Sequence, residues 1–373
     1  MARLGDICEI LNGYAFKSEN YTNNGVRIIR ISNVQKGYIE DNTPEFYPFD
    51  DINVEKYALF EGDLLLSLTG NVGRVGLLDK KFLPAALNQR VACIRIKDNG
   101  ILDKLFLFNF LNSNNFEQKC VQYSKGVAQK NMSTEWLKNF EISLPPLAEQ
   151  HKIAAVLDKI SDLIAKRRQQ LTKLDELVKA RFVEMFGDPV LNPFEWKKNT
   201  LETNATLLNG RAYRQDELLD AGKYPVLRVG NFFSNRGWYY SDLELEKDKY
   251  CDNGDLLYAW SASFGPQIWH GGKVIYHYHI WKVLIGDAYN KLFLCKLLEY
   301  TTESLMEGTH GIAMMHLTKS GMEKTEFVVP PLALQTQFAV FVEQTEKTKT
   351  TISHSLEQME MLKMSLMQKY FGG

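Results

Sequence analysis

Residues 147–185 contain neither proline nor glycine, and their apolar positions fall at Ile153, Leu157, Ile160, Ile164, Leu171, Leu174 and Val178. Gaps of three and four sustained over several heptads predict one long helix with an apolar stripe, on which Arg167 is the one polar residue at a seam position. The spacing returns near the end of the chain through Phe338, Val342, Ile352, Leu356, Met359 and Leu366, with Thr345 and Lys349 on the seam. A helix of roughly 40 residues at about 1.5 Å per residue is a rod of about 60 Å, too long for one small domain to cover. The simplest partner for each stripe is the other. Antiparallel packing about the midpoints sets Arg167 near Ile352, and Lys349 and Thr345 near Leu171 and Leu174, where polar residues fix register at some cost in stability. The alternative is that these residues lie slightly off the seam and snorkel into solvent.

The helices belong to a repeat that runs through the whole chain. GVAQKNMSTEWLKNFEISLPPLAEQ, ending at Gln150, returns as GIAMMHLTKSGMEKTEFVVPPLALQ, ending at Gln335. LNGYAFK (11–17) answers LNGRAYR (208–214), RISN (30–33) answers RVGN (228–231), and EGDLLLSLTGNVG from Glu61 answers NGDLLYAWSASFG from Asn253. KLFL occurs at Lys104 and again at Lys291, and RFVEMFG (181–187) matches LMQKYFG (366–372). Agreement at these anchors with divergence between them suggests one scaffold carrying two reading surfaces; a duplicated structural domain without that division of labour is the plainer alternative. Ahead of each helix, β-rich runs such as VRIIRISNV, DLLLSL and VACIRI alternate with Gly, Asn and Pro turn clusters and with amphipathic stretches such as DKLFLFNFLNS. That is the pattern of a compact α/β or α+β domain. The expected organisation is therefore a domain at 1–146, a helix at 147–187, a second domain at 188–331 and a second helix at 332–373, with the two helices antiparallel and the two halves related by a pseudo-two-fold axis.

Composition adds limits. The chain has 373 residues, 45% of them hydrophobic, enough for two cores of ordinary domain size. No apolar run reaches membrane-span length and MARLGDICEI carries no signal-peptide core, which places the chain in the cytoplasm with no membrane partner. Five scattered cysteines, never in CxxC, read as reduced, mostly buried side chains. A formal net charge of −1 disfavours a strongly basic, non-specific DNA binder but leaves room for a basic face.

Catalytic motifs are missing. Each PP pair is followed by Leu and preceded by Leu144 or Val329, so neither forms the [NDS]PP[YF] motif of adenine methyltransferases, and no FxGxG loop accompanies them. GNVGRVG (70–76) lacks the GK[ST] of a phosphate-binding loop, and ELEKDK near Lys247 reads as a solvated loop in preference to a nuclease site. His277 and His279 would share a face of a strand and begin a metal site. Because their stretch answers LNQR in the first copy, with Asn88, Gln89 and Arg90 at the corresponding positions, a base- or phosphate-contacting surface is the better reading. No metal, cofactor or catalytic residue is therefore expected in this chain. Trp238, Tyr239, Tyr240, Tyr258, Trp260 and Trp269 read as core and cross-strand pairs in preference to base-stacking residues.

Two similar domains on an antiparallel helix pair would present related surfaces with the local symmetry of duplex DNA, and the helices would act as a ruler between two half-sites. Donors in turns beside Gly or aromatic residues are the candidate DNA contacts. In the first domain these are Tyr14, Lys17, Asn33, Lys36, Asn71, Arg74, Gln89, Arg90, Lys125, Gln129 and Lys130. In the second they are Arg211, Arg214, Asn231, Asn235, Arg236, Ser263, Gln267, His277, His279, His310 and His316. About half are expected to be solvated residues or turn formers, and KGVAQK (125–130) is the strongest stretch.

The paired PPLAEQ and PPLALQ elements, the helix after each, the FGD and FGG that close them, and the two GDLL segments together resemble the specificity subunit of a Type I restriction-modification system, over essentially the whole chain. The resemblance implies two target recognition domains, each reading one half of a bipartite, asymmetric sequence in double-stranded DNA. It implies an antiparallel helical spacer, two methylation subunits that carry S-adenosylmethionine and modify adenine at N6, and motor-nuclease subunits that complete the restriction complex. The specificity subunit itself would perform no chemistry. Two rival readings are a coiled-coil adaptor whose globular ends bind other proteins, and a self-sufficient restriction or methylation enzyme; the second is disfavoured by the missing motifs.

Overall fold

The computed structural model describes residues 1–125, 132–234, 236–261, 263–307 and 317–372, and only the backbone of Lys125 and Glu307. The chain divides into two compact units, Met1–Gln169 with Ser353–Gly373, and Gln170–Ile352. The two long helices span Leu147–Phe186 and Leu332–Phe371, so each contributes one half to each unit. Among the described residues no helix is long and apolar enough to cross a membrane.

Each unit holds two four-stranded sheets of the same strand order. In the first unit, one sheet runs Phe46–Tyr47, Val26–Ile29, Ala85–Leu87, Ala58–Leu59, with the central pair parallel. The other runs Cys8–Asn12, Val91–Ile96, Leu64–Ser67, Val75–Leu77, antiparallel throughout. In the second unit the orders are Tyr239–Ser241, Tyr224–Leu227, Val274–Tyr276, Tyr250–Cys251, and Ala205–Asn209, Ile280–Ile285, Leu256–Ser261, Ser263–Ile268. The continuous apolar run DLLLSL follows from strand alternation between two cores. Leu64 and Leu66 enter the cluster that packs under the helices, whereas Leu65 enters the one between the sheets. Leu256 and Tyr258, against Leu257 and Ala259, repeat the division.

The recurring motifs each have a structural reason. In the GD pairs, Gly62 (φ 84°) and Gly254 (φ 89°) adopt the left-handed conformation that glycine accepts without strain. The adjoining Asp63 and Asp255 carboxylates close the turn by accepting from the backbone N–H of Phe60 and Asp252, both at 2.8 Å. In PPLAxQ the glutamine that both copies share is fully buried and ties the first helical turn to the preceding domain. Gln150 accepts from the Asp103 N–H at 2.9 Å and donates to the carbonyls of Ile101 and Pro145. Gln335 accepts from the Asn290 N–H at 2.8 Å and donates to Ala288 and Pro330. Gln335→Leu would leave one buried N–H and two carbonyls unpaired. At roughly 1–3 kcal/mol per orphaned group, partly relieved by relaxation, we expect a loss of about 2 kcal/mol in urea unfolding; a change below about 0.5 kcal/mol would mean that the tie is dispensable.

The helices pack antiparallel within each unit. In the first, Ile153, Ala154 and Leu157 share a core with Phe371, Met367 and Leu366, while Arg168 pairs with Glu360 at 2.5 Å. In the second, Val178, Phe182 and Phe186 pack with Phe338 and Val342. Lys349 reaches Asp175 at 2.7 Å, one turn beyond the expected Leu171, and also bonds Glu346. Its ammonium thus snorkels from the seam edge to two carboxylates. Thr345 stays buried on the seam, its hydroxyl satisfied by the Phe341 carbonyl one turn back. All five cysteines are buried and unpaired, and burial pushes the Cys8 and Cys120 thiols up to about 12.

Candidate nucleic-acid interface

In each unit three connections meet around one tight turn between the two sheets. In the first unit strand Ala85–Leu87 passes through Asn88, Gln89 and Arg90 into Val91–Ile96. Five backbone hydrogen bonds fix this turn. Asn88 N–H donates to Ile29, Val91 N–H to Asn88, Tyr14 N–H to Leu87, Gln89 N–H to Tyr14, and Leu68 N–H to Arg90. The second unit repeats all five around His277, Tyr278 and His279: His277 to Leu227, Ile280 to His277, Arg211 to Tyr276, Tyr278 to Arg211, and Trp260 to His279. The equivalence of LNQR with the histidine stretch is thus present in the backbone, while no side chain in the turn is shared.

Several sequence candidates gather here. Tyr14 lies beside the turn, stacked on Tyr57 with ring centroids 5.4 Å apart. Gln89 and Arg90 are exposed at its tip, and Asn71 is exposed in the loop that starts at Leu68. Ser263 is exposed at the position matching Asn71. Lys125 ends the helix Asn114–Lys125, and the Met132 N–H donates to the Leu68 carbonyl. Gln129, Lys130, Asn235, His310 and His316 lie outside the described residues.

Other candidates are held by the scaffold. Asn33 is buried; it accepts from the Arg30 N–H and donates to Glu40 and Asp41, which leaves its amide no free face. Its counterpart Asn231 accepts from the Arg228 N–H and donates to the carbonyls of Arg236 and Gly237. The matched RISN and RVGN asparagines thus each cap their own turn. Arg74 donates to Gln35 at 2.7 Å, and Lys36 binds Asn114 and Glu117. Gln267 lies at the far end of strand Ser263–Ile268, opposite Leu257 and away from the turn, in a crevice with Lys291 and Lys347.

Arg211 grips Glu217 with two hydrogen bonds of 2.8 and 2.9 Å, which, with the Arg214 N–H, lowers that carboxyl to about 2. The guanidinium of Arg211 also lies 5.2 Å from the Tyr213 ring centroid. Lys17 and Arg214 remain largely exposed, each in loose ion pairs of 3.4 Å or longer, and Arg236 is exposed.

Burial, with His279 and Arg228 adding to it, pushes the His277 imidazole down to about 4, so it is neutral at pH 7; its Nδ1 accepts from the His279 N–H at 3.4 Å. Of the six aromatics expected in the core, Tyr258 is buried and the other five are half-buried. Trp260 instead supports the turn: its indole donates to the Tyr278 carbonyl at 2.8 Å and its ring stacks on Trp281. Tyr278, which the sequence reading passed over, is 38% exposed at the tip. Its position between two histidines aligned with LNQR was the available signal.

The chain thus combines a duplicated α+β unit, one backbone frame with two sets of tip side chains, and two 40-residue helices. The chain belongs to the family of the type I restriction modification DNA specificity domain, whose sequence profile matches residues 1–174 and 193–361. It is 33% identical over 184 residues to the MjaVIII specificity subunit of Methanocaldococcus jannaschii, covering 48% of this chain and 43% of that one. It is 33% identical over 182 residues to the EcoAI specificity subunit of Escherichia coli, covering 48% and 29%. The chain thus spans less than half the length of these two relatives. Against the EcoKI specificity subunit of E. coli K12, identity is 23% over 416 residues, covering 100% of this chain and 88% of that one. The crystal structure of an S subunit from M. genitalium shares the fold, with a TM-score of 0.60 at 15% identity, covering 99% of this chain and 95% of that one.

Proposed function

We propose that each unit reads one half of a bipartite, asymmetric DNA sequence, and that the chain positions an adenine-N6 methylation subunit at each half-site. The observation that carries this reading is the shared five-bond frame with wholly different side chains on it. A constant frame with variable tips suits two related domains that read different sequences in one ligand. Base edges in the major groove distinguish all four base pairs by donor and acceptor pattern, whereas phosphate contacts fix position. Exposed cations outside the turn, Lys17, Arg214 and Arg236, suit the second task. The methyl transfer belongs in this reading to two partner subunits carrying S-adenosylmethionine, and cleavage to motor-nuclease subunits; this chain contributes double-stranded DNA recognition without a cofactor of its own.

The test is coexpression with the cognate methylation subunit and sequencing of N6-methyladenine in host DNA. A single bipartite motif is expected, altered in one half when residues 1–146 are exchanged for those of another specificity subunit, and in the other half when 188–331 are exchanged. A stable complex that methylates no defined sequence would sink the reading in favour of an adaptor.

A further inference from the structure

The frame around the turn separates what is fixed from what is free. Its backbone is held from three sides; Gln89 and Arg90 are exposed at its tip in the first unit, and in the second Tyr278 is exposed while His279 is half-buried, its ring 5.0 Å from that of Trp260. An ordinary surface loop tolerates side-chain change because its backbone can move; this one is anchored by five hydrogen bonds and still differs at every position. Among the arginines of the first unit, Arg27, Arg30, Arg74 and Arg95 donate to Asp41, Glu45, Gln35 and Asp63 respectively. The side chains of Arg90 and of its neighbour Gln89 are both exposed and make no hydrogen bond or ion pair among the described residues, although their backbones belong to the frame. A guanidinium and an amide thus stand side by side on a rigid support with no internal role.

We infer that this turn is the base-reading element of each unit: Gln89 and Arg90 set base identity in one half-site, and Tyr278 and His279 in the other. The inference rests on the reading of the chain as a DNA specificity subunit and narrows it to named side chains. Arg90 has the fork that matches guanine O6 and N7, and Gln89 the donor and acceptor pair that matches adenine N6 and N7. The first half-site accordingly contains a guanine read by Arg90. Tyr278 and His279 offer single hydrogen bonds and a ring face, so the second half-site is read without a guanidinium fork at this turn. Rigidity is what makes the assignment physical. A two-pronged hydrogen bond tolerates only a few tenths of an ångström of misplacement, and a backbone tied at five points supplies that precision.

The experiment is methylome sequencing of the full chain with its methylation subunit, for wild type, Arg90→Ala, Arg90→Lys and the double exchange Gln89→Tyr with Arg90→His. Arg90 is exposed, so each variant should keep the wild-type melting temperature. Both single substitutions are expected to relax one position of the first half-site, raising methylation at sites with another base there at least tenfold relative to cognate sites. The double exchange should change bases in that half alone, and the second half should stay intact in all three. If Arg90→Lys keeps the motif while Arg90→Ala lowers methylation evenly at all cognate sites, Arg90 contacts phosphate and the inference is overturned. An unchanged motif in all three variants overturns it too, with the two-half-site reading left standing. A wild-type chain that yields no bipartite motif removes that reading, and the inference with it.

Discussion

Phe338→Ala is expected to destabilise the second unit by about 4 kcal/mol, within the range for a large buried aromatic truncated to alanine. Phe338 is fully buried and stands at the junction of both helices with the domain. Its ring meets Phe182 and Phe186 edge-on, with centroids 5.4 and 5.6 Å apart at 80° and 86°, and Phe293 likewise at 6.5 Å and 87°. The truncation removes the apolar transfer term and the edge-to-face contacts together, and the surrounding rings are themselves fixed by stacking, which limits collapse into the void. At about 2–4 °C per kcal/mol for a unit of this size, the transition involving the second unit should fall by roughly 8–16 °C in calorimetry. Val340→Ala, two residues away on the exposed side of the same helix, is the control and should shift it by less than about 2 °C. Equal small shifts for both would refute the view that this aromatic junction anchors the helix to the domain.

The junction also shows which features were readable from residues alone. Helix length and stripe follow from local periodicity, and the helices observed carry the apolar spacing at Ile153, Leu157, Phe338 and Val342 into the cores. Polar pairing between the helices is less visible. Lys349 reaches Asp175, a carboxylate off the seam that apolar spacing does not mark. Site residues were harder still. An asparagine that caps its own turn and one that reads a base have the same neighbours in sequence; Asn33 and Asn231 engage their amides in their own turns, which no sequence pattern marks. The turn at Gln89 was hidden by unequal loops. Leu11 answers Leu208, Leu87 answers Tyr276 and Pro145 answers Pro330, so the offset between copies shrinks along the chain. Only the shared backbone bonds settle which residues correspond. Trp260 misled for another reason: its ring is half in the core through Trp281 and half at the turn through Tyr278, and hydrophobicity does not distinguish the two.

The second large effect is expected at the glycine of each LNG motif. A Cβ on Gly13 would lie 2.1 Å from the Asn88 carbonyl oxygen and 2.6 Å from that of Leu87; on Gly210 it would lie 2.4 Å from both the His277 and Tyr276 carbonyl oxygens. Neither glycine has an unusual φ, so the requirement is close approach and not conformational freedom. The obstructing atoms are backbone carbonyls of the turn, which cannot rotate away as a side-chain end can. Gly13→Ala must therefore push the turn at Asn88 off the Tyr14 strand end, at a cost of about 1–3 kcal/mol in overpacking. It must also break the geometry of the bonds that hold Gln89. A displacement near 1 Å exceeds what a base-edge hydrogen bond survives, and each good bidentate contact contributes about 1–3 kcal/mol of discrimination. Methylation at sites cognate in the first half should fall roughly 10- to 100-fold in Gly13→Ala, with the second half of the motif still defined. Gly210→Ala should do the reverse. Gly272→Ala, whose Cβ meets nothing within 4 Å, serves as the control and should leave both halves as they are. If Gly13→Ala lowers melting temperature yet leaves the first half-site as sharp as wild type, the turn is scaffold and base reading lies elsewhere in the unit. If the two alanine variants each blur their own half-site, a single methyl group will have been shown to act through a backbone contact on one half of a sequence and not the other.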